Sequence, residues 1–155
     1  MTAPKSPPVP RARESGPGPR RRARVACMRA LYRAEVVGDA MDGVATDLAA
    51  DDSIPETARE YAGRLSHLVA ARGEEIDQIL RDALTRWDLK RLAVVDRCVL
   101  RIGVAELLYE SEVPTRVVLD EAIEIAKQFG TNESGRFVNG VLDRVARDFR
   151  KEDVS

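Results

Sequence analysis

The chain has 155 residues, of which 44% are apolar, 33% charged and only 5% aromatic, a balance that suits one soluble globular domain with a substantial core. No uncharged run exceeds the seven residues Leu65–Ala71, far short of the roughly 20 that span a bilayer. Pro and Arg occupy the N-terminal positions where a secretory signal would be apolar, so a cytoplasmic protein with no membrane segment is expected.

The formal charge of −1 hides an asymmetry. The first 33 residues hold Lys5 and eight arginines against Glu14, about +8, while the rest hold 16 basic and 25 acidic residues, about −9. A basic arm on an acidic body points to a nucleic-acid partner.

Residues 1–18 carry Pro4, Pro7, Pro8, Pro10 and Pro17 beside Gly16 and Gly18. They bury too little apolar surface to offset their ordering entropy, and read as a disordered Pro/Gly/Arg-rich tail before a single helical domain over 19–150. The first helix is expected from Pro19 to just before Gly38. On a wheel of about 100° per residue, Arg22, Arg29 and Arg33 cluster, while Ala23, Cys27, Ala30, Leu31 and Ala34 gather on a different side. Val25 and Tyr32 border the arginine stripe. One face packs, and the other presents arginines and one aromatic to solvent or a polyanion, RNA first among them.

A short helix is expected over Met41–Ala50, then a break at Asp51, Asp52, Ser53 and Pro55 with Ser53 as a candidate cap. From Pro55 to about Leu84 the apolar spacing is helical, with Gly73 placed to bend or interrupt it. Arg86, Trp87 and Asp88 connect to the most apolar helix, about Leu89 to Glu110. Being apolar on most sides, it should be central. Its charges, Asp96 with Glu106 and Arg97 with Arg101, read as rim positions or internal ion pairs.

Pro114 restarts the chain into an amphipathic helix ending at Phe129, with Asp120, Glu121, Glu124 and Lys127 facing water. Gly130 is its expected C-cap, and Thr131 or Asn132 caps the last helix, to about Arg150. That helix buries Val138, Val141, Leu142, Val145 and Phe149, with Phe137 at the edge of the face and Arg136, Arg147 and Arg150 on the polar side. No strand alternation stands out, so the fold class is all-α, a compact bundle of six to seven helices.

Catalytic motifs are missing. There is no dinucleotide-binding glycine pattern, phosphate-binding P-loop, nucleophile elbow or CxxC pair. His67 is the single histidine, which leaves no His-based metal cluster or catalytic dyad. Cys27 and Cys98, each among apolar neighbours, read as buried reduced thiols. The expectation is a binding protein, not an enzyme, with no metal and no cofactor.

The run from Asp96 to Val145, DRCVLRIGVAELLYESEVPTRVVLDEAIEIAKQFGTNESGRFVNGVLDRV, closely resembles the NusB family of bacterial transcription antitermination factors. Its signature stretches stand in order and spacing: Leu100, Arg101, Glu106 and Leu107; Glu121 to Gly130; Phe137 to Asp143. Arg20–Tyr32 resembles that family's arginine-rich start and Ala-Leu-Tyr element, and the likeness covers about residues 20–148. It implies the NusB-type fold of two small helical bundles, and a protein that pairs with NusE, a ribosomal protein of the small subunit. The pair would bind boxA-type single-stranded RNA in ribosomal RNA leaders and help the elongating RNA polymerase resist termination, without a cofactor.

Carried over by position, Arg20, Arg21, Arg22 and Arg24 match the family's RNA-binding arginines, and Tyr32 and Phe137 match aromatics near the RNA surface. Asp96 and Glu133 match acidic positions tied to partner binding. Asp120 stands where Asn is common, and Gly135 replaces a side chain, which would loosen the loop beside Glu133. Two other readings stay open. One is a protein-only helical adaptor or homodimer that buries Tyr32, Asp96 and Phe137. The other is a detached targeting module like that preceding the catalytic domain of some ribosomal RNA cytosine methyltransferases.

Overall fold

Pro19 in the first turn and Gly38 beyond the last frame helix α1 (Pro19–Val37). Gly38 adopts φ 88° and returns its N–H to the Ala34 carbonyl, a left-handed cap that suits a residue without Cβ. In the computed structural model residues 18–151 are described, so the expected disordered tail lies outside the described residues except for Gly18. The remaining helices are α2 (Met41–Ala49), α3 (Glu56–Ala71), α4 (Gly73–Ala83), α5 (Val94–Tyr109), α6 (Thr115–Phe129) and α7 (Ser134–Phe149), with a 3-10 turn at Leu89–Arg91 before α5. Among the described residues there is no strand, and the fold is all-α.

The segment Pro55–Leu84 is interrupted at Gly73, as expected: Arg72 leaves the helical region at φ −113°, ψ 22° and Gly73 begins α4. Three other boundaries differ from expectation. The central helix is shorter than Leu89–Glu110: extended Leu92 and Ala93 separate the 3-10 turn from α5. Ser53 does not cap α3; its N–H and hydroxyl donate to Asp51, and Pro55 occupies the N-cap position. Neither Thr131 nor Asn132 is the N-cap of α7, a position taken by Glu133. Instead the Thr131 N–H donates to Ser134 Oγ at 2.9 Å, and the Thr131 hydroxyl accepts from the Glu133 N–H.

Helices α1, α2 and α3 pack on one another, and α5, α6 and α7 form a second group with α4 laid against α5 and α7. Helix α5 also touches α1 and α3, so it is the axis on which both bundles are mounted. Its all-round apolarity serves that position: Cys98, Val99, Leu100, Ile102, Val104, Ala105 and Leu107 are all buried. A Cβ at Gly103 would stand 2.5 Å from the Leu142 Cδ1, so the missing side chain sets the close approach of α5 and α7. Gly135 does not loosen its surroundings; it is buried inside α7, with the Lys127 stem of α6 where a Cβ would be.

Arg150 is not on the polar face. It is buried, and its guanidinium donates to the carbonyls of Glu106, Leu107, Glu110 and Val113. The five-donor fork thereby ties the last turn of α5 to the loop that follows it, and gives the Leu107 carbonyl, near the helix end, a donor. Cys27 and Cys98 are free and fully buried, and burial pushes their thiols up to about 12 and about 11, so both stay protonated at neutral pH.

Filling the α5–α7 contact should be costly. Gly103→Ala is expected to lower the unfolding free energy by about 1–3 kcal/mol through overpacking against Leu142, read as a lower urea midpoint with an unchanged slope.

Candidate nucleic-acid interface

The arginines of α1 divide by helical register. Arg24, Cys27, Met28 and Leu31 follow the i, i+3, i+4, i+7 spacing of one face, and all four are buried. Arg24 is therefore carried inside, where its Nε donates to both Glu106 oxygens at 2.9 Å and the two side chains are 4% and 1% exposed. The Tyr61 hydroxyl donates to the same carboxylate at 2.5 Å. Burial and the Glu106 charge both push the Tyr61 phenol up, keeping it protonated as that donor.

This corrects the expectation that Arg24 faces RNA. A guanidinium enclosed by α3 and α5 and ion-paired with a buried carboxylate, even with its Nη2 making no hydrogen bond, is shielded from solvent and so from a phosphate.

The neighbouring arginines close over the same centre. Arg21 pairs in a two-point contact with Glu121 of α6, at 2.9 and 2.7 Å, so Glu121 is a half-buried ion-pair partner and not the solvated residue expected from its helix. Arg20 lies exposed, its guanidinium 4.2 Å from the Tyr61 ring centroid, a cation–π contact. Arg64 of α3 pairs with Glu110, the C-cap of α5, at 2.9 and 2.8 Å. Helices α1, α3, α5 and α6, drawn from both bundles, thus meet in one charged cluster.

A second cluster joins the far end of α1 to the start of α5. Glu35 accepts from both Arg97 and Arg101, and Arg101 also grips Asp77 of α4 at 2.9 and 3.1 Å. Arg97 donates to the carbonyls of Leu89, Lys90 and Leu92, fixing the turn before α5. Asp96 sits half-buried beside this junction, with Oδ1 shielded from solvent and without a hydrogen-bond partner. Tyr32, one turn before Glu35, is 41% exposed.

Arg22 and Arg29 are left over. Both are exposed and neither has a carboxylate partner among the described residues. They line a cleft of about 580 Å³ with Arg21 and Arg33, the apolar Val25, Val44, Leu48 and Phe129, and the acidic Asp47 and Asp51. The Arg29 guanidinium lies 5.2 Å from the Phe129 ring centroid.

From Phe129 the chain turns into α7, where Glu133 is exposed and Phe137 is half-buried. Phe137 meets Trp87 edge to face, with centroids 5.7 Å apart and planes at 76°. The structure thus gathers Arg20, Arg21 and Arg24 around Glu106 and Glu121, sets Glu133 and Phe137 at the start of α7, and leaves Arg22 on the cleft. Sequence reasoning passed over Trp87; its signal was an isolated tryptophan between Arg86 and Asp88, in a connection too polar to bury it.

Two helical bundles joined by arginine–carboxylate pairs, with Arg22 and Arg29 lacking a carboxylate partner among the described residues along one cleft, define an all-helical protein with a basic face on its first helix. Residues 21–147 match the profile of the NusB family. The transcription antitermination protein NusB of Thermotoga maritima is 42% identical over 130 residues, covering 84% of this chain and 92% of that protein. Its Bacillus mycoides counterpart is 41% identical over 126 residues, 81% of this chain and 95% of that one. A solved T. maritima NusB superimposes with TM-score 0.79 at 41% identity, covering 89% of this chain and 98% of that one. A chain from the crystal structure of antitermination factors NusB and NusE in complex with dsRNA gives 0.76 at 30% identity, covering 84% and 98%. The chain belongs to the NusB family.

The two kinds of arginine should separate by experiment. Glu106→Gln strands the buried Arg24 charge and is expected to cost about 3–5 kcal/mol, whereas Arg22→Ala should stay within about 0.5 kcal/mol; chemical unfolding reads both.

The Arg21 guanidinium holds the Glu121 carboxyl below its usual range. A depressed folded pKa contributes stability that is complete above the unfolded value of about 4.3 and is lost as pH falls through the folded one. The stability gap between the parent and Glu121→Gln should therefore be largest near neutrality and shrink as pH falls below the ordinary glutamate range.

Proposed function

We propose that this protein is a cytoplasmic transcription antitermination factor that pairs with NusE and binds boxA-type single-stranded RNA in ribosomal RNA leaders. Within the elongation complex it helps RNA polymerase resist termination, through binding alone and without a catalytic step. The observation that carries this reading is the exposed Arg22 and Arg29, without a carboxylate partner among the described residues, along one cleft in a chain about 40% identical to antitermination proteins over more than 80% of its length. Among the described residues no group of His, Cys, Asp or Glu is placed to hold a metal ion, and no helix is long and apolar enough to cross a membrane.

Capture is electrostatic. Arginines that neutralise phosphates release condensed counterions, so affinity falls with salt. Sequence preference then comes from unpaired bases laid on aromatic or guanidinium planes and from hydrogen bonds to base edges, roles assigned here to Arg20, Tyr32 and Phe137 beside Arg21 and Arg22. Tyr32, with Val36 and Val37 at 55% and 67% exposure, forms an apolar edge on the last turns of α1. A protein partner would cover such an edge. Asp96 at the start of α5 and Glu133 at the start of α7 supply acidic contacts suited to a basic partner such as NusE.

The test is RNA binding with NusE present, across a salt series. Replacing Arg22 and Arg29 together by Ala is expected to weaken boxA-like RNA binding and to lower the slope of log K against log salt by about 0.7 per lost phosphate contact, roughly 1.4 in all. Unchanged affinity and slope would remove this cleft from the RNA path.

A further inference from the structure

We propose that Trp87 and Phe137 form a base-stacking corner that holds an unpaired RNA base, with Arg86, Lys90, Arg91 and Arg136 holding the flanking phosphates. The proposal rests on the RNA-binding reading and extends it to a connection that the arginine-rich helix does not reach by sequence.

Trp87 is 60% exposed although it is the largest apolar side chain available. Its position is not a frayed loop. Leu84 and Leu89 are buried at either end of the connection, and the Asp88 carboxylate accepts the Lys90 N–H at 3.1 Å. Arg97 gathers the carbonyls of the turn that follows. The indole is thus presented on a fixed support.

Phe137 stands nearly at right angles to it. Two perpendicular rings make a corner: a flat base stacking on the open face of one ring meets the edge of the other. Such a corner accepts any unpaired base, because every base has a π face, and it is closed to bases held inside a duplex.

The charges around the corner select the ligand. Arg86 adjoins Trp87, Lys90 and Arg91 lie within four residues of it, and Arg136 adjoins Phe137. All four are exposed and none forms an ion pair among the described residues. The acids nearest in sequence are Asp88, engaged as the cap of the turn, and Glu133, one turn before Phe137. Four unpaired cations beside two aromatic rings complement a strand that alternates phosphates with stacking bases, and would be desolvated at a cost against an apolar protein surface. Along the chain, the α6–α7 turn and the first turn of α7 connect Phe129, on which Arg29 rests, to Phe137.

Trp87 is the only tryptophan, so the protein carries its own reporter. The experiment titrates the full chain with single-stranded boxA-like RNA, following tryptophan fluorescence and, separately, anisotropy of labelled RNA. Quenching that saturates along the anisotropy curve is expected. Trp87→Ala should bind about 5- to 150-fold more weakly with an unchanged salt slope, the loss of one stacked base, and Trp87→Phe should recover most of it. Arg86→Ala with Arg91→Ala should instead lower the salt slope by about 0.7 per contact.

RNA that binds the parent while Trp87 emission stays unchanged and Trp87→Ala binds normally overturns this proposal and leaves the RNA reading intact. RNA that fails to bind the parent at all, with NusE present, overturns both. Emission that responds to NusE alone, with no further change on adding RNA, overturns it by assigning the corner to the protein partner.

Discussion

The pairing of Arg24 with Glu106 is the contact on which the arrangement of the molecule depends. Glu106 is 1% exposed, on the axial helix, and receives a guanidinium from α1 and a phenol from α3. A carboxylate taken that far from water is tolerated only when its lone pairs are filled and its charge is matched. The requirement fixes the rotation of α1 about its own axis. With Arg24 turned inward, Arg22 and Arg29 lie about 160° and 140° away around the helix, at about 100° per residue, and face solvent. The fold therefore sorts one arginine-rich segment into a structural member and exposed members, by geometry alone.

The same economy recurs elsewhere. Acidic residues of the body are drawn against arginines of neighbouring elements: Glu121 on Arg21, Glu110 on Arg64, Glu35 and Asp77 on Arg101. Each pair ties two elements together, and several join the two bundles. The acidic excess of the body is thus partly consumed at helix junctions, while Arg22 and Arg29 on α1 and the cations near Trp87 keep their charge for an external anion. Stability and recognition use the same residue type in different places.

Much of this was readable from the chain. Pro19 and Gly38 bracket α1, the unbroken apolarity from Val94 to Leu107 marks the axial helix, and Pro114 and Gly130 bracket α6. The packing stripe through Cys27 and Leu31 even contained the clue to Arg24, which lies one and two turns before them on the same face. The surrounding arginines hide it, because a run of like charges carries no mark of which member the packed face takes in. The burial of Arg150 is not legible for a different reason: it follows the last residue of α7, and its partners are carbonyls at the end of α5, about 40 residues earlier. A local pattern carries no record of such partners. The Trp87–Phe137 corner is likewise created by the meeting of two elements 50 residues apart, and only the exposure of the indole gives it meaning.

The division of labour on α1 can be tested most directly by removing the buried charges without leaving any of them stranded. Arg24→Met, Tyr61→Phe and Glu106→Leu together replace the central polar group by apolar side chains of similar size, a change that buried ion pairs often tolerate. Measured with NusE across a salt series, RNA affinity and salt slope of this triple variant should match the parent. A folded triple variant with weaker RNA binding and a shallower salt slope would show that Arg24 reaches the phosphate backbone, and would contradict the account.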